Sequence, residues 1–304
     1  MLTLVVLAGY LWLAPSIFLL GPLALLLLVS RPTTAREWLW LGIALVSVAA
    51  SLQGRTALVD QTVRAYGAFF AGAFVVLALL GVRSLITRSL VSVGIAAAGV
   101  AGWYLKLQLR FVDFRSAVAS QTWDSYRLLF PELPVTPPPG GTEFVGSAGV
   151  SDFARSMADG VATASAVTPG FLTLVLLVGG WLAWSWYWRI SRRPIGPPPK
   201  PFHELRFSDH LIWALVAIAA VALLAPTGAL SIVSANLFVV VGGLYAARGM
   251  AVVQTGLRRA SPLFALVLYL LAFPVLPFAL FAIGVADTWL DLRRRMAPPQ
   301  GATP

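Results

Sequence analysis

Long uncharged apolar runs alternate along this chain with short polar intervals. A bilayer core takes about 20 helical residues per crossing. The runs of relevant length are Leu2 to Val29, Trp38 to Leu52, Tyr66 to Val82, Leu90 to Leu105, Phe171 to Tyr187, Leu211 to Leu224, Leu230 to Ala247 and Leu263 to Ala286. The first is too long for one straight crossing, and Pro15 and Pro22 each interrupt its hydrogen-bond ladder, so it reads as two shorter helices or a kinked pair. Pro274 and Pro277 divide the last run in the same way. No cleavage pattern follows the first run, which reads as retained. The pattern predicts an all-α, polytopic transmembrane helical bundle of about 7–8 hydrophobic segments.

Between residues 106 and 168 the period changes. Leu107, Phe111, Phe114, Val118, Thr122 and Leu129 recur at helical spacing with Arg110, Asp113, Arg115 and Asp124 between them, which predicts an amphipathic helix continuing out of the fourth run. The stretch Pro131 to Gly141 stops it with a stiff, extended turn. Val150, Phe153, Met157 and Val161 form a second, weaker stripe, and Thr168 with Pro169 reads as N-cap and first residue of the fifth span. The two stripes read as an interfacial helical pair lying on the bilayer, or as a lid over a cavity. The expected organisation is transmembrane helices in 1–105, this extracytoplasmic segment in 106–168, transmembrane helices in 169–295 with a Pro-rich cytoplasmic loop at 189–208, and a disordered tail at 296–304. No internal repeat is visible.

Composition agrees with a bilayer: 59% of the 304 residues are hydrophobic and 11% charged, against about 25% charged in soluble domains. Cysteine is absent, which removes disulfides and thiolate chemistry. His203 and His210 are the two histidines, too few for a His-rich metal centre, and no metal or cofactor is expected. The formal charge of +10 marks cytoplasmic loops of a membrane protein and not a nucleic-acid partner. With the loop 189–208 inside, alternation brings Arg31, Arg36, Arg83, Arg88, Arg258 and Arg259 to the same side. Arg293, Arg294 and Arg295 join them if the proline-broken last run turns back as a hairpin. The location is then a bacterial-type inner membrane.

Polar residues at membrane depth are the best pointers to function, because burying them is costly without partners. Asn236 and Gln254 lie about five helical turns apart on one face, together with Gly243 and Ala247. They read either as a close helix contact or as the wall of a ligand cavity, which Tyr245 would join. Arg248, one turn from Tyr245, reads as a side chain that snorkels to headgroups, with a carboxylate partner as the alternative. Asp60 and Arg64 form an i, i+4 pair leading into Ala68, Ala71 and Gly72, and Gly94, Ala98 and Gly102 repeat the pattern of a small-residue seam. Asp287 and Asp291 share one face, Trp289 and Arg293 another, and the carboxylates read as interfacial partners of nearby Arg. Trp181, Trp184, Trp186 and Trp188 read as an aromatic belt. No H-E-x-x-H, G-x-S-x-G or P-loop occurs, and Gly284-Val-Ala-Asp287 lacks the second glycine of intramembrane aspartyl proteases, so no catalytic residue is expected and the chain does not read as an enzyme.

The run Pro201 to Trp213, with Asn236-Leu237, Leu244-Tyr245, Arg248-Gly249-Met250-Ala251-Val252 and then Gly284, Asp287, Trp289, Asp291 and Arg293, resembles the YybS-like family of polytopic membrane proteins. That family is similar to the substrate-binding S components of energy-coupling-factor transporters. The resemblance implies a membrane subunit that binds or transports a small molecule alongside a transport ATPase. Ala8 and Ala14 lack the Ala-xxx-Ala spacing of the S-component docking helix. The competing expectation is a non-transporting scaffold or assembly factor for an envelope or biosynthetic complex, with a membrane-protein partner. Both place the chain in contact with the lipid bilayer.

Overall fold

A computed structural model of the chain describes residues 9–11, 14–53, 57–82, 84–134, 148–225, 227–257 and 276–296. The expected helix start at Leu2, the Pro-rich turn beyond 134, Arg83, the 258–275 half of the last apolar run with Arg258 and Arg259, and the tail beyond 296 lie outside the described residues. Among those described, all regular structure is helical. Four helices are long and apolar enough to cross a bilayer, Leu58–Leu79, Leu85–Lys106, Asp152–Ile190 and Gly228–Gly256, and three shorter apolar ones accompany them, Ile17–Val29, Leu211–Leu224 and Leu276–Leu290. The chain divides into two units, 1–199 and 200–304.

In the first unit, helix α1 (Ile17–Val29) is apolar on every side, and such a helix belongs inside a core. Phe18, Leu19, Leu23, Leu26 and Leu27 are fully buried, surrounded by α2 (Ala35–Leu52), α3 (Leu58–Leu79) and α6 (Ala148–Ile190). Pro22 sits inside α1 without ending it, so among the described residues of this run the proline at a break is Pro15. Glycines admit the close approaches: a Cβ at Gly67 or Gly180 would meet the rings of Phe18 or Phe70, and one at Gly179 the Phe18 carbonyl. On α4 (Leu85–Lys106) the tight contact is Gly99 against Phe69, whereas Gly94 and Gly102 face open space, so the expected seam lies on a different face. The outward side chains, Leu39, Val46, Leu80 and Leu105 among them, suit hydrocarbon.

Helix α4 ends where continuation was expected. Gln108 takes φ 56°, and the amides of Gln108 and Leu109 donate back to the Leu105 and Tyr104 carbonyls, a Schellman closure. α5 (Phe111–Leu129) starts afresh, with Asp113 accepting from the Arg110 amide. Its buried stripe follows the expected one only at Phe114: Trp123 is buried with Ala154 and Val161 of α6, flanked by Ala119, Tyr126 and Met157, while Phe111 and Leu129 are exposed. The amphipathic pair therefore packs on itself. Nor does Pro169 start a helix; it lies inside the 43 residues of α6. One lost backbone bond there is outweighed by an otherwise continuous ladder.

The four tryptophans of α6 are not a belt. Trp184 and Trp186 are buried, with Trp181 and Trp188 packed against the same core. Arg88 is buried with them. Its guanidinium lies 3.9 Å from the Trp184 ring centroid and 4.9 Å from that of Phe74, and its Nε and Nη2 have no hydrogen-bond partner among the described residues.

Glu37 completes the unit. Thr34 caps α2, its hydroxyl accepting from the Glu37 amide, while Glu37 Oε2 accepts from the Thr33 and Thr34 amides, both at 2.8 Å. The other oxygen accepts from the Arg192 amide at 2.8 Å, so one buried carboxylate ties the start of α2 to the end of α6. Glu37 precedes the apolar run of α2. Burial raises its pKa, but the donors from Arg192, Thr33 and Thr34 outweigh burial and hold it at about 2, below an ordinary 4.5. The unfolded chain thus binds this proton more tightly than the folded one. The contribution is complete above about pH 4.5 and is lost as pH falls toward 2. In Glu37→Gln, the amide nitrogen must oppose an N–H on one side, which is expected to cost about 1–3 kcal/mol. Unfolding of wild type and variant in detergent across pH checks both points: the difference should shrink as pH falls toward 2.

Candidate functional site: a buried ionic cluster and a basic cleft

The second unit is organised by α8 (Gly228–Leu257), against which α7 (Leu211–Leu224), α9 (Leu276–Leu290), α10 (Leu292–Met296) and a 3-10 turn at Phe202–Glu204 all pack. α8 and α9 run in the same direction. Phe238 meets Phe281, Arg248 meets Asp287, and Met296 lies against Gly256. This parallel course brings Arg293 to the end of the unit that also holds Arg206 and Arg248.

The crossing depends on two glycines. A Cβ at Gly249 would overlap the Leu280 carbonyl, and one at Gly284 the Tyr245 carbonyl. Only glycine lets the backbones approach so closely. One turn away, Tyr245 is fully buried, edge-on to Phe207 at 5.3 Å and Phe281 at 6.4 Å.

Arg248 does not snorkel. Its side chain is 5% exposed and that of Asp287 is 0%. Asp287 Oδ2 accepts from Arg248 Nε and Arg293 Nη2, both at 2.9 Å, and the Asp287 carbonyl accepts from Arg248 Nη2 at 3.2 Å. Arg248 Nη1 reaches the exposed Asp209 at 2.9 Å, and Arg293 Nη1 donates to the His203 carbonyl at 2.9 Å. Phe207 lies 5.4 Å from the Arg248 guanidinium. The alternative of a carboxylate partner wins because the cluster satisfies the guanidinium inside the unit, where a charge without partners would be far more costly.

Asp291 does not share a continuous helix face with Asp287. It takes φ 42°, ending α9, and pairs with Arg206 at 2.7 Å. Trp289 is exposed and Arg293 buried. The expected amide pair is not brought together in one pocket: the Asn236 amide donates to the Ile232 carbonyl at 2.8 Å, and Gln254 is exposed. Asp60 and Arg64 lie in the first turns of α3, in the other unit. No group of three metal-ligating side chains occurs among the described residues.

Next to the cluster the unit keeps a cleft of about 500 Å³, lined by Lys200, His203, Glu204, Arg206, Thr255 and Arg293. Sequence reasoning missed this site because its walls come from the loop, the end of α8 and the end of the chain. The signal in the sequence was the placement of Arg206 and Arg293 at the same predicted membrane face.

Residues 142–288 match a family model described as "Predicted membrane protein (DUF2232)". The matched stretch takes in Asp209, Arg248, Gly249, Gly284 and Asp287 and stops before Arg293. No curated protein and no solved structure matches the chain. Together with the long apolar helices, the family match makes the chain a helical, multi-pass membrane protein.

Proposed function

We propose that the chain is an inner-membrane binding subunit, comparable in role to an S component, that holds a small molecule in its C-terminal unit. The observation that carries this reading is the polar cleft of about 500 Å³ set beside helices fixed by a glycine crossing and a buried ionic cluster. Its size falls within the range of about 300–1,000 Å³ usual for small-ligand sites. A rigid frame suits binding because the polar groups need no reordering when the ligand arrives. In this reading the basic end faces the cytoplasm, the chain crosses the bilayer about seven times, and the role is non-catalytic. Tyr245 shares Phe207 with Arg248 and so adjoins the cluster, while Asn236 and Gln254 are not among the residues that line the cleft.

Native mass spectrometry of the whole protein, purified in its own lipids, combined with crosslinking, tests the role. A co-bound small molecule and a crosslinked transport ATPase are the expected results. A stable envelope or biosynthetic complex with no co-bound molecule overturns the proposal in favour of the scaffold.

A further inference from the structure

We propose that the cleft is a phosphate site, receiving the phosphate group of either a soluble phosphorylated molecule or a lipid headgroup. The inference rests on the binding role above and assigns its ligand chemistry. Every lining side chain is polar, with three permanent cations against one carboxylate. Behind the lining, Asp287 pairs with Arg248 and Arg293, Asp209 with Arg248, and Asp291 with Arg206, so the positive charge still open to a ligand is that of Lys200, with Arg206 beside it in an exposed pair.

Each cation has capacity left. Lys200 has no carboxylate partner among the described residues. Arg206 gives one terminal nitrogen to Asp291, whose side chain is 44% exposed, so this pair is weakly held and readily shared with a second anion. Arg293 is the built element. Its side chain is 7% exposed, its two terminal nitrogens are fixed on His203 and Asp287, and its Nε is buried without an acceptor. A fixed guanidinium supplies field without reordering, and an ammonium with a second guanidinium at the rim supplies movable donors. That combination suits a compact, multiply charged oxyanion better than a planar carboxylate. A basic pocket at the end of a membrane helix bundle is also where anionic headgroups are held.

Two probes separate the sources. The whole protein in phosphatidylcholine nanodiscs is titrated with inorganic phosphate by calorimetry, and nanodiscs containing phosphatidate are examined for retained lipid by native mass spectrometry. Binding of phosphate alone identifies a soluble ligand, and retention of phosphatidate alone identifies a headgroup. In either case the double variant Lys200→Ala/Arg206→Gln, confined to exposed side chains, should bind about tenfold more weakly, and Arg293→Lys should weaken binding while keeping the charge. Failure of both probes, or wild-type binding by the double variant, overturns the phosphate site. If both probes fail while a co-purified molecule is still found, the phosphate inference falls and the binding role stands.

Discussion

Asp287→Leu alone is expected to destabilise the C-terminal unit by about 3–5 kcal/mol. The substitution removes the one carboxylate that both Arg248 and Arg293 contact and leaves two guanidiniums at a site where their side chains are 5% and 7% exposed. Arg248 keeps Asp209 at the rim and the backbone carbonyl of position 287, and Arg293 keeps only the His203 carbonyl. The informative comparison is with the triple variant Asp287→Leu/Arg248→Met/Arg293→Met. Replacing a whole buried ionic group with apolar side chains is often neutral or better, so the triple variant should recover most of the loss. Unfolding free energies of the whole protein in mixed micelles measure both. A single variant within about 1 kcal/mol of wild type would contradict the buried geometry.

The second large effect is expected at the glycine crossing. Gly249→Ala and Gly284→Ala should each cost about 3 kcal/mol, because the added methyl overlaps a backbone carbonyl of the facing helix and no rotamer change relieves a Cβ. The helices would have to part, which also stretches the contacts between Arg248 and Asp287. Gly256→Ala is the matched control on the same helix. There the nearest atom to the added Cβ is the Met296 sulfur at 3.6 Å, an ordinary contact, and the helix gains up to about 1 kcal/mol of propensity. The same unfolding assay distinguishes them, and equal losses at all three positions would show that helix propensity and membrane insertion, not the crossing, govern the result.

The apolar runs of the central helices were legible because burial in lipid or in a core leaves the same uncharged signature over a dozen or more residues. Side-chain destinations were not, since they depend on partners far away in sequence. Arg248 looked like a snorkelling residue because its carboxylate lies 39 positions on. Trp184 looked interfacial because the helix packed around it is defined only by tertiary contacts. Pro169 looked like a boundary because a local rule for proline cannot weigh one missing bond against a long ladder. Asp287 and Asp291 seemed to share a face because a left-handed residue at Asp291 is not announced by glycine. Glu37 was missed altogether: Thr34-x-x-Glu37 is a readable capping box, but nothing in it points to Arg192.

That last contact bears on the order in which the protein is made. The Arg192 amide that completes the shell of donors around Glu37 comes 155 residues later in the chain. At translation rates of about 5–20 residues per second, the interval is on the order of ten seconds. During that time the first helices must rest in the membrane with the carboxylate short of a donor and α1 lacking one wall of its enclosure. The N-terminal unit therefore closes as a late event of synthesis, when the end of α6 arrives.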